Sequence, residues 1–378
     1  MTNEVRRDTF IIEQLFFELL HVSLGIRICL SHTPSADEWD KLYSIAKKQS
    51  LIGVCFAGVQ KLVAQQQKPP EMLYFTWMGM AAKIQQRNEI VNRQCVELQA
   101  RLSADGICSC ILKGQGVGMQ YAEHLRGLRQ SGDIDIWIEG GVEAAVKLAE
   151  RLGQKVEVTE QHVHLDYFPE TEVEAHFIPS MLRHPFANRR LQRWFEEQKP
   201  IQFKHWNEVR LCVPTTSFNL VYLLIHIYRH LFGEGVGLRQ VMDYYFVLQA
   251  GDLEGTNSKE KAFQTIKRLG LGNFAGALMY VMREIFGLQR ERMLCNPNER
   301  HGKFLLNEIM IAGNMGHHDE RLKDLHGRTR LLRFYKITKH NMRLIGYYPI
   351  ETLWAPFTRV KIWVWRKWNG YNNRKQKN

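Results

Sequence analysis

The chain has 378 residues, 45% hydrophobic and 24% charged, a composition that excludes a disordered or fibrous protein and leaves enough apolar mass for a sizeable core. At roughly 100–200 residues per domain, this length implies two or three packed units. A formal net charge of +12 points to an anionic partner, whether phosphate groups, a nucleotide, a nucleic acid or a membrane surface, without choosing among them.

The first apolar stretch, "FIIEQLFFELLHVSLGIRICL", is interrupted by Glu13, Glu18, His21 and Arg27, so it lacks the clean core of a signal peptide or membrane span. No integral membrane span is expected. "ADEWDKLYSIAKKQSLIGVCFAGVQKL" and "YFTWMGMAAKIQQRNEIVNRQCVELQARLSADG" carry apolar residues at spacings of three and four. This predicts helices, the first opened by Ser35 or Asp37 and the second closed by Gly106. From Ile107 the texture changes to short β-prone runs: "ICSCIL", "DIDIWIE", "KVEVT", "HVHLDYF", "EVEAHFI", then "IQF" and "VRLCV". One helix, "VEAAVKLAERLG", separates the second run from the third. After Pro214 the pattern is helical again, through "TSFNLVYLLIHIYRHLF" and "GLRQVMDYYFVLQA" to a tryptophan-rich basic end. The expected organisation is α+β: an N-terminal helical segment over 1–105, a small mixed-sheet core over 106–213 and an all-helical part over 214–378. The seven cysteines are scattered and show no C-x-x-C spacing, which fits buried thiols in a reducing compartment. A cytoplasmic location is the expectation.

Within "DIDIWIE", Asp133 and Asp135 share one strand face while Ile134, Ile136 and Ile138 fill the other. Two ionised carboxylates that close repel each other. A bound divalent cation resolves this, since magnesium takes hard oxygen ligands and pairs carboxylates with substrate phosphates; the plainer alternative is a solvated strand end. Two neighbours favour the cation. Upstream, "ILKGQGVGMQYAEHL" reads as a strand entering the turn Lys113-Gly114-Gln115-Gly116 and then a short helix, where free backbone N–H groups receive a phosphate. Downstream, "EVEAHF" offers a third acid, Glu174, with His176 on the same face. A hairpin through Pro169-Glu170-Thr171 would set the row His162, His164, Asp166 against the row Glu172, Glu174, His176, which makes Asp166 a rival third carboxylate. A zinc site from these histidines is conceivable, though their spacing is not distinctive.

Several of these residues carry a resemblance. They are Leu112-Lys113-Gly114, Tyr121, Arg129, Gly132-Asp133-Ile134-Asp135, Val173-Glu174-Ala175-His176 and the later "HIYRHLF" and "GLRQVMDYYF". They resemble the nucleotidyltransferase superfamily to which DNA polymerase beta belongs, and more closely a bacterial family of uncharacterised nucleotidyltransferases. The match is dense from Leu112 to Leu248 and sparse in the flanking helical parts. One departure is that Gln115 follows Gly114 where many superfamily members have Gly-Ser or Gly-Gly, which leaves the nucleotide class open.

The resemblance implies a magnesium-dependent enzyme with a nucleotidyltransferase core. Asp133 and Asp135 would hold two magnesium ions, with Glu174 as third ligand or base, and a nucleoside monophosphate would pass from a nucleoside triphosphate to an acceptor as pyrophosphate leaves. Lys113, Gly114, Gln115 and Gly132 would meet the phosphates, and Arg129 could grip one bidentately or be an ordinary structural arginine. The acceptor is unidentified: a small molecule, a sugar phosphate or a protein side chain. Its side of the cleft would be built from His164, His176, His226, His230, Arg239 and Asp243, although the pairs His226/His230 and Arg239/Asp243, each four residues apart, also suit a buried polar network. A template-directed polymerase needs a long basic track, and the positive charge here is spread along the chain, so nucleic acid is not the favoured partner. The alternative from another class is a non-catalytic module of the same fold that binds RNA or a protein. The end, "RVKIWVWRKWNGYNNRKQKN", reads as a docking helix with a basic tail, and also as a segment that lies on a membrane or stacks on bases.

Overall fold

A computed structural model describes residues 3–152, 157–206, 208–233, 235–250, 258–316, 319, 321 and 329–368. The start of "KVEVT" and the tail after Trp368 lie outside the described residues. Four helices open the chain: α1 (Asn3–Leu24), α2 (Ala36–Lys48), α3 (Ile52–Val63) and α4 (Glu71–Ala104). Ser35 caps α2, its hydroxyl accepting from the Glu38 amide while Glu38 Oε2 accepts from the Ser35 amide over 2.8 Å. The 34-residue α4 stops where Gly106 takes φ +71°, and the amides of Gly106 and Ile107 return to the carbonyls of Ser103 and Leu102.

The middle of the chain alternates strands and helices. β1 (Ser109–Leu112) leads through α5 (Gly114–Gly118) and α6 (Glu123–Arg126) to β2 (Ile134–Ile138), then α7 (Gly141–Arg151), β3 (Glu157–Val158), β4 (His162–Phe168) and β5 (Thr171–His176). They form one five-stranded mixed sheet in the order β1-β2-β5-β4-β3, with β2 and β5 parallel and the other pairs antiparallel. The fold is α+β. Among the described residues eight further α-helices follow: α8 (Pro185–Gln202), α9 (Thr216–Phe232), α10 (Leu238–Ala250), α11 (Ser258–Arg268), α12 (Gly272–Phe286), α13 (Glu299–Ala312), α14 (Arg330–Asn341) and α15 (Pro349–Trp368). Among the described residues no helix is long and apolar enough to cross a membrane.

Two expected strands are absent. "IQF" completes α8 instead, because Phe203 turns inward to pack 4.8 Å from Trp137. "VRLCV" touches β1 through one rung, Ile111 N–H to the Cys212 carbonyl over 2.8 Å. Gln99 Oε1 takes the Cys212 amide, so the ladder goes no further.

Both faces of the sheet are covered. Ile134, Ile136 and Ile138 point to one side and pack with Val91, Cys95 and Leu98 of α4 and Ala145 and Leu148 of α7. Trp137 points to the other, stacking on Phe218 of α9 at 5.8 Å beside Phe195 of α8. That second core is continuous with the helices at both ends of the chain. Asp135 lies on the Trp137 face, so the acids open toward α9 and α10.

Gly53 shows how closely the leading helices abut this region. A Cβ there would lie 2.4 Å from the backbone oxygen of Leu128, next to Arg129. Gly53→Ala is expected to cost about 1–3 kcal/mol in urea unfolding. Gly79→Ala, where a Cβ meets nothing within 4 Å on the exposed side of α4, is the control and should stabilise by about 0.5–1 kcal/mol.

Candidate active site

Strand register sets the acids side by side. Asp135 pairs with Glu174 across the parallel β2–β5 ladder, while β4 places His164 opposite Glu174 and His162 opposite His176. Asp133 lies just before β2. One oxygen from each of Asp133, Asp135 and Glu174 falls within 4.8 Å of the other two.

The turn that follows β1 neutralises part of this charge. Lys113 adopts φ +44° and Gly114 φ +38°, a left-handed excursion that costs a lysine about 1–3 kcal/mol and marks a site worth explaining. It sends Lys113 Nζ to 2.7 Å from Asp135 Oδ1. His176 Nε2 donates to the same oxygen over 2.8 Å and lies 3.2 Å from Glu174 Oε2.

Burial opposes charge on Asp135, yet Lys113 and the His176 hydrogen bond outweigh it and hold the carboxyl far below its usual range. Burial also opposes charge on Lys113 and His176, and Asp135 overrides it, so both titrate higher than usual. Asp133 has no such partner. The charge of Asp135, and then burial, push its carboxyl up to about 6, although it faces the water of the cleft and is not sealed from it. Burial first, then His176 and His164, drive His162 down to about 2 and keep its ring neutral. Its Nδ1 sits 3.1 Å from Glu174 Oε2, out of line for a hydrogen bond.

The facing wall comes from α9 and α10. His226 and His230 lie one turn apart with ring centroids at 4.4 Å, and burial is the main reason both are neutral, His226 well below its ordinary value and His230 near about 3. Arg229 Nη1 donates to Gln161 Oε1 over 2.5 Å, tying α9 to the entrance of β4. Arg129 forks onto Asp243 with Nε–Oδ1 2.7 Å and Nη2–Oδ2 2.8 Å, and the Tyr121 hydroxyl donates to Asp243 Oδ1 over 2.6 Å. Arg239 Nη1 donates to the Gln130 carbonyl over 2.8 Å. Arg129 Nη1 and Arg239 Nε remain buried donors with no acceptor, a state that calls for an explanation.

The expected acids all line one cavity of about 190 Å³, together with Lys113, Gly114, Arg129, Gly132 and His176. His226, His230, Arg239 and Asp243 line its other side. Two expected residues do not reach it. Gln115 turns to Asn92 of α4, its Nε2 donating over 2.5 Å, so it cannot grip phosphate as placed. His164 turns across to Glu172 of β5, 2.8 Å away, and touches the cavity only through His162, its Nε2 lying 3.2 Å from that of His162. Arg129 and Asp243 occupy each other, which removes the bidentate phosphate grip and leaves Arg129 one free nitrogen. Asp166 is exposed beside a register shift and stays outside, whereas Glu174 is inside. Gln161, Arg229 and Gln240 line the cavity as well, although no motif marks them. Arg229 had a signal, since it lies between His226 and His230 on one helix. Besides the three acids, His162, Glu174 and His176 also bring ligand atoms within 4.8 Å of one another.

The two central strands of the mixed sheet thus gather three carboxylates, and α9 and α10 face them with the guanidinium groups of Arg229 and Arg239. A family model described as "Uncharacterised nucleotidyltransferase" matches residues 35–287, well over half of the chain, and the chain belongs to that family. No curated protein and no solved structure matches it.

Two outcomes test this electrostatic account. Asp133 is protonated in the folded protein and ionised in the unfolded chain between its ordinary value and about 6, so stability should fall as pH rises through that window. In metal-free buffer, Asp133→Asn should therefore melt higher than the parent at pH 7 and no higher near pH 3. Asp243→Ala leaves the buried Arg129 without its counter-ion and should cost about 3–5 kcal/mol by denaturant unfolding.

Proposed function

We propose that this protein transfers a nucleoside monophosphate from a nucleoside triphosphate to a compact polar acceptor, releasing pyrophosphate. The observation that carries the reading is one cavity whose sheet side gathers Asp133, Asp135 and Glu174 around Lys113 and whose helix side carries Arg229 and Arg239 beside Asp243. Lys113, Arg129, Arg229 and Arg239 balance Asp133, Asp135, Glu174 and Asp243 in number. Such a cavity suits a ligand that is close to neutral overall but separates its charge, as divalent cations with a triphosphate do.

The residues present fit magnesium, because Asp133, Asp135 and Glu174 offer converging hard oxygens and Asp133 has no ion-pair partner among the described residues. When bound, two magnesium ions would supply charge neutralisation at the phosphates and at the attacking oxygen. Asp133 and Asp135 would hold them, with Glu174 as third ligand or as the base for the acceptor hydroxyl. Arg129 Nη1 and Arg239 Nε would gain phosphate oxygens as the acceptors they lack. Lys113 would exchange part of its contact with Asp135 for phosphate. The neutral imidazoles of His226 and His230 would face the acceptor as hydrogen-bonding groups without adding charge. At about 190 Å³ the cavity suits the phosphates and reacting atoms better than a whole nucleotide, so the base would lie toward the mouth.

A second reading has one observation behind it. Lys113 and His176 already neutralise Asp135, as they would in a non-catalytic module of this fold. Calorimetric titration with each of the four ribonucleoside triphosphates separates the two. The enzyme reading expects binding that requires magnesium, weakens about 10²–10³-fold in Asp133→Asn with the fold intact, and is followed by pyrophosphate release once an acceptor is supplied. Failure of every triphosphate to bind, with or without magnesium, would overturn it.

A further inference from the structure

α15 is amphipathic in the reverse sense to a helix that closes a core. Its inward face is polar apart from the small Ala355. Glu351 is buried and accepts from the backbone amides of Arg183 and His184, at 2.6 and 3.3 Å. Thr358 Oγ1 donates to the Arg183 carbonyl over 3.0 Å, and Arg359 Nη2 donates to the Phe232 carbonyl over 3.3 Å. These contacts fix which side faces the protein. The opposite side carries Ile350, Leu353, Phe357, Val360, Val364 and Trp368, spaced three or four apart and all exposed, Phe357 at 67% and Trp368 at 85%. A continuous apolar stripe of this kind on a surface marks a contact yet to be made.

Charge decides what covers it. From Thr352 to Asn378 the sequence contains no Asp or Glu and seven basic residues: Arg359, Lys361, Arg366, Lys367, Arg374, Lys375 and Lys377. Lys361 and Lys367 are exposed on α15 itself, and Lys367 Nζ sits 5.6 Å over the Trp363 ring, with the amine beside the aromatic surface. A second copy of the chain would bring an equal set of positive charges against these and be repelled. Exposed tryptophans amid lysines are instead the composition of a helix lying in the headgroup layer of a bilayer, with rings at the acyl boundary and ammonium groups reaching lipid phosphates.

The geometry points to α15 as an in-plane anchor that holds this protein on an anionic lipid surface. Co-sedimentation with vesicles of phosphatidylcholine alone and of phosphatidylcholine mixed with phosphatidylglycerol tests it on the full chain. Binding is expected to the mixed vesicles only and to weaken with salt, each lysine near the surface being worth about fivefold in affinity. The double variant Phe357→Ser/Trp368→Ser should bind at least about tenfold more weakly while keeping its circular dichroism melt, because both side chains point away from the protein. Should that variant melt differently, quenching of wild-type tryptophan fluorescence by brominated lipid decides instead, because among the described residues the exposed tryptophans, Trp354, Trp363, Trp365 and Trp368, all lie on α15. The inference fails if mixed vesicles do not pellet the protein or if the variant binds them as tightly as the parent. It fails equally if the stripe proves to drive self-association in sedimentation velocity, or to bind single-stranded RNA or an acidic protein more tightly than lipid.

Discussion

The structure around the cavity follows from one constraint, the placing of two carboxylates as direct neighbours in a parallel ladder. Asp135 and Glu174 are register partners, and like charges opposite each other on a sheet are destabilising. The apolar partners in the same ladder fix that register. Ile134 lies opposite Val173 and Ile136 opposite Ala175, all four buried against α4 and α7. A slip of one residue would turn every one of these side chains to the wrong face, so the hydrophobic core forces the acids together.

Their proximity then organises the neighbouring elements. Lys113 reaches Asp135 only because the turn after β1 is left-handed, and α5 keeps that turn against the sheet through Gly116, where a Cβ would come within 2.9 Å of the Ile111 carbonyl oxygen. His176, two residues along β5 from Glu174, lies on the same side of the sheet and can touch both acids. Asp133, outside the ladder, gains neither cation directly and carries the residual strain as a raised titration point. Asp135, which is buried, is neutralised internally, while Asp133 faces the cleft with no ion-pair partner among the described residues.

How much of this was legible in the sequence depended on range. The alternation of "DIDIWI" gives two acids on one face by period alone, and Ser35 and Gly106 mark helix ends through contacts within a few residues. The hairpin pattern sets Glu174 and His176 opposite the His162 row and leaves Asp166 a rival, and only the family resemblance ties Glu174 to the two aspartates. What stayed hidden were partners far apart in the chain. Gln115 answers to Asn92 on a preceding helix, and Arg129 answers to Asp243, 114 positions away, so no local pattern tells either from a phosphate ligand. "IQF" is β-prone by composition, yet tertiary packing of Phe203 on Trp137 keeps it with α8.

α15 bonds the chain next to both walls of the cavity. Arg183, bonded by Glu351 and Thr358, lies on the connection from β5 to α8, just beyond the strand that bears Glu174 and His176. Phe232, whose carbonyl takes Arg359 and Asn341, ends α9, the helix that bears His226 and His230. Continuity of contact is not coupling, and nothing in it requires α15 to alter the chemistry. It does fix orientation. A surface that captured the outward stripe of α15 would hold the inward face, and with it both walls of the cavity, in one attitude to that surface. If the proposed transfer and the proposed anchor both hold, an acceptor confined to the same surface would meet the cavity by diffusion in two dimensions.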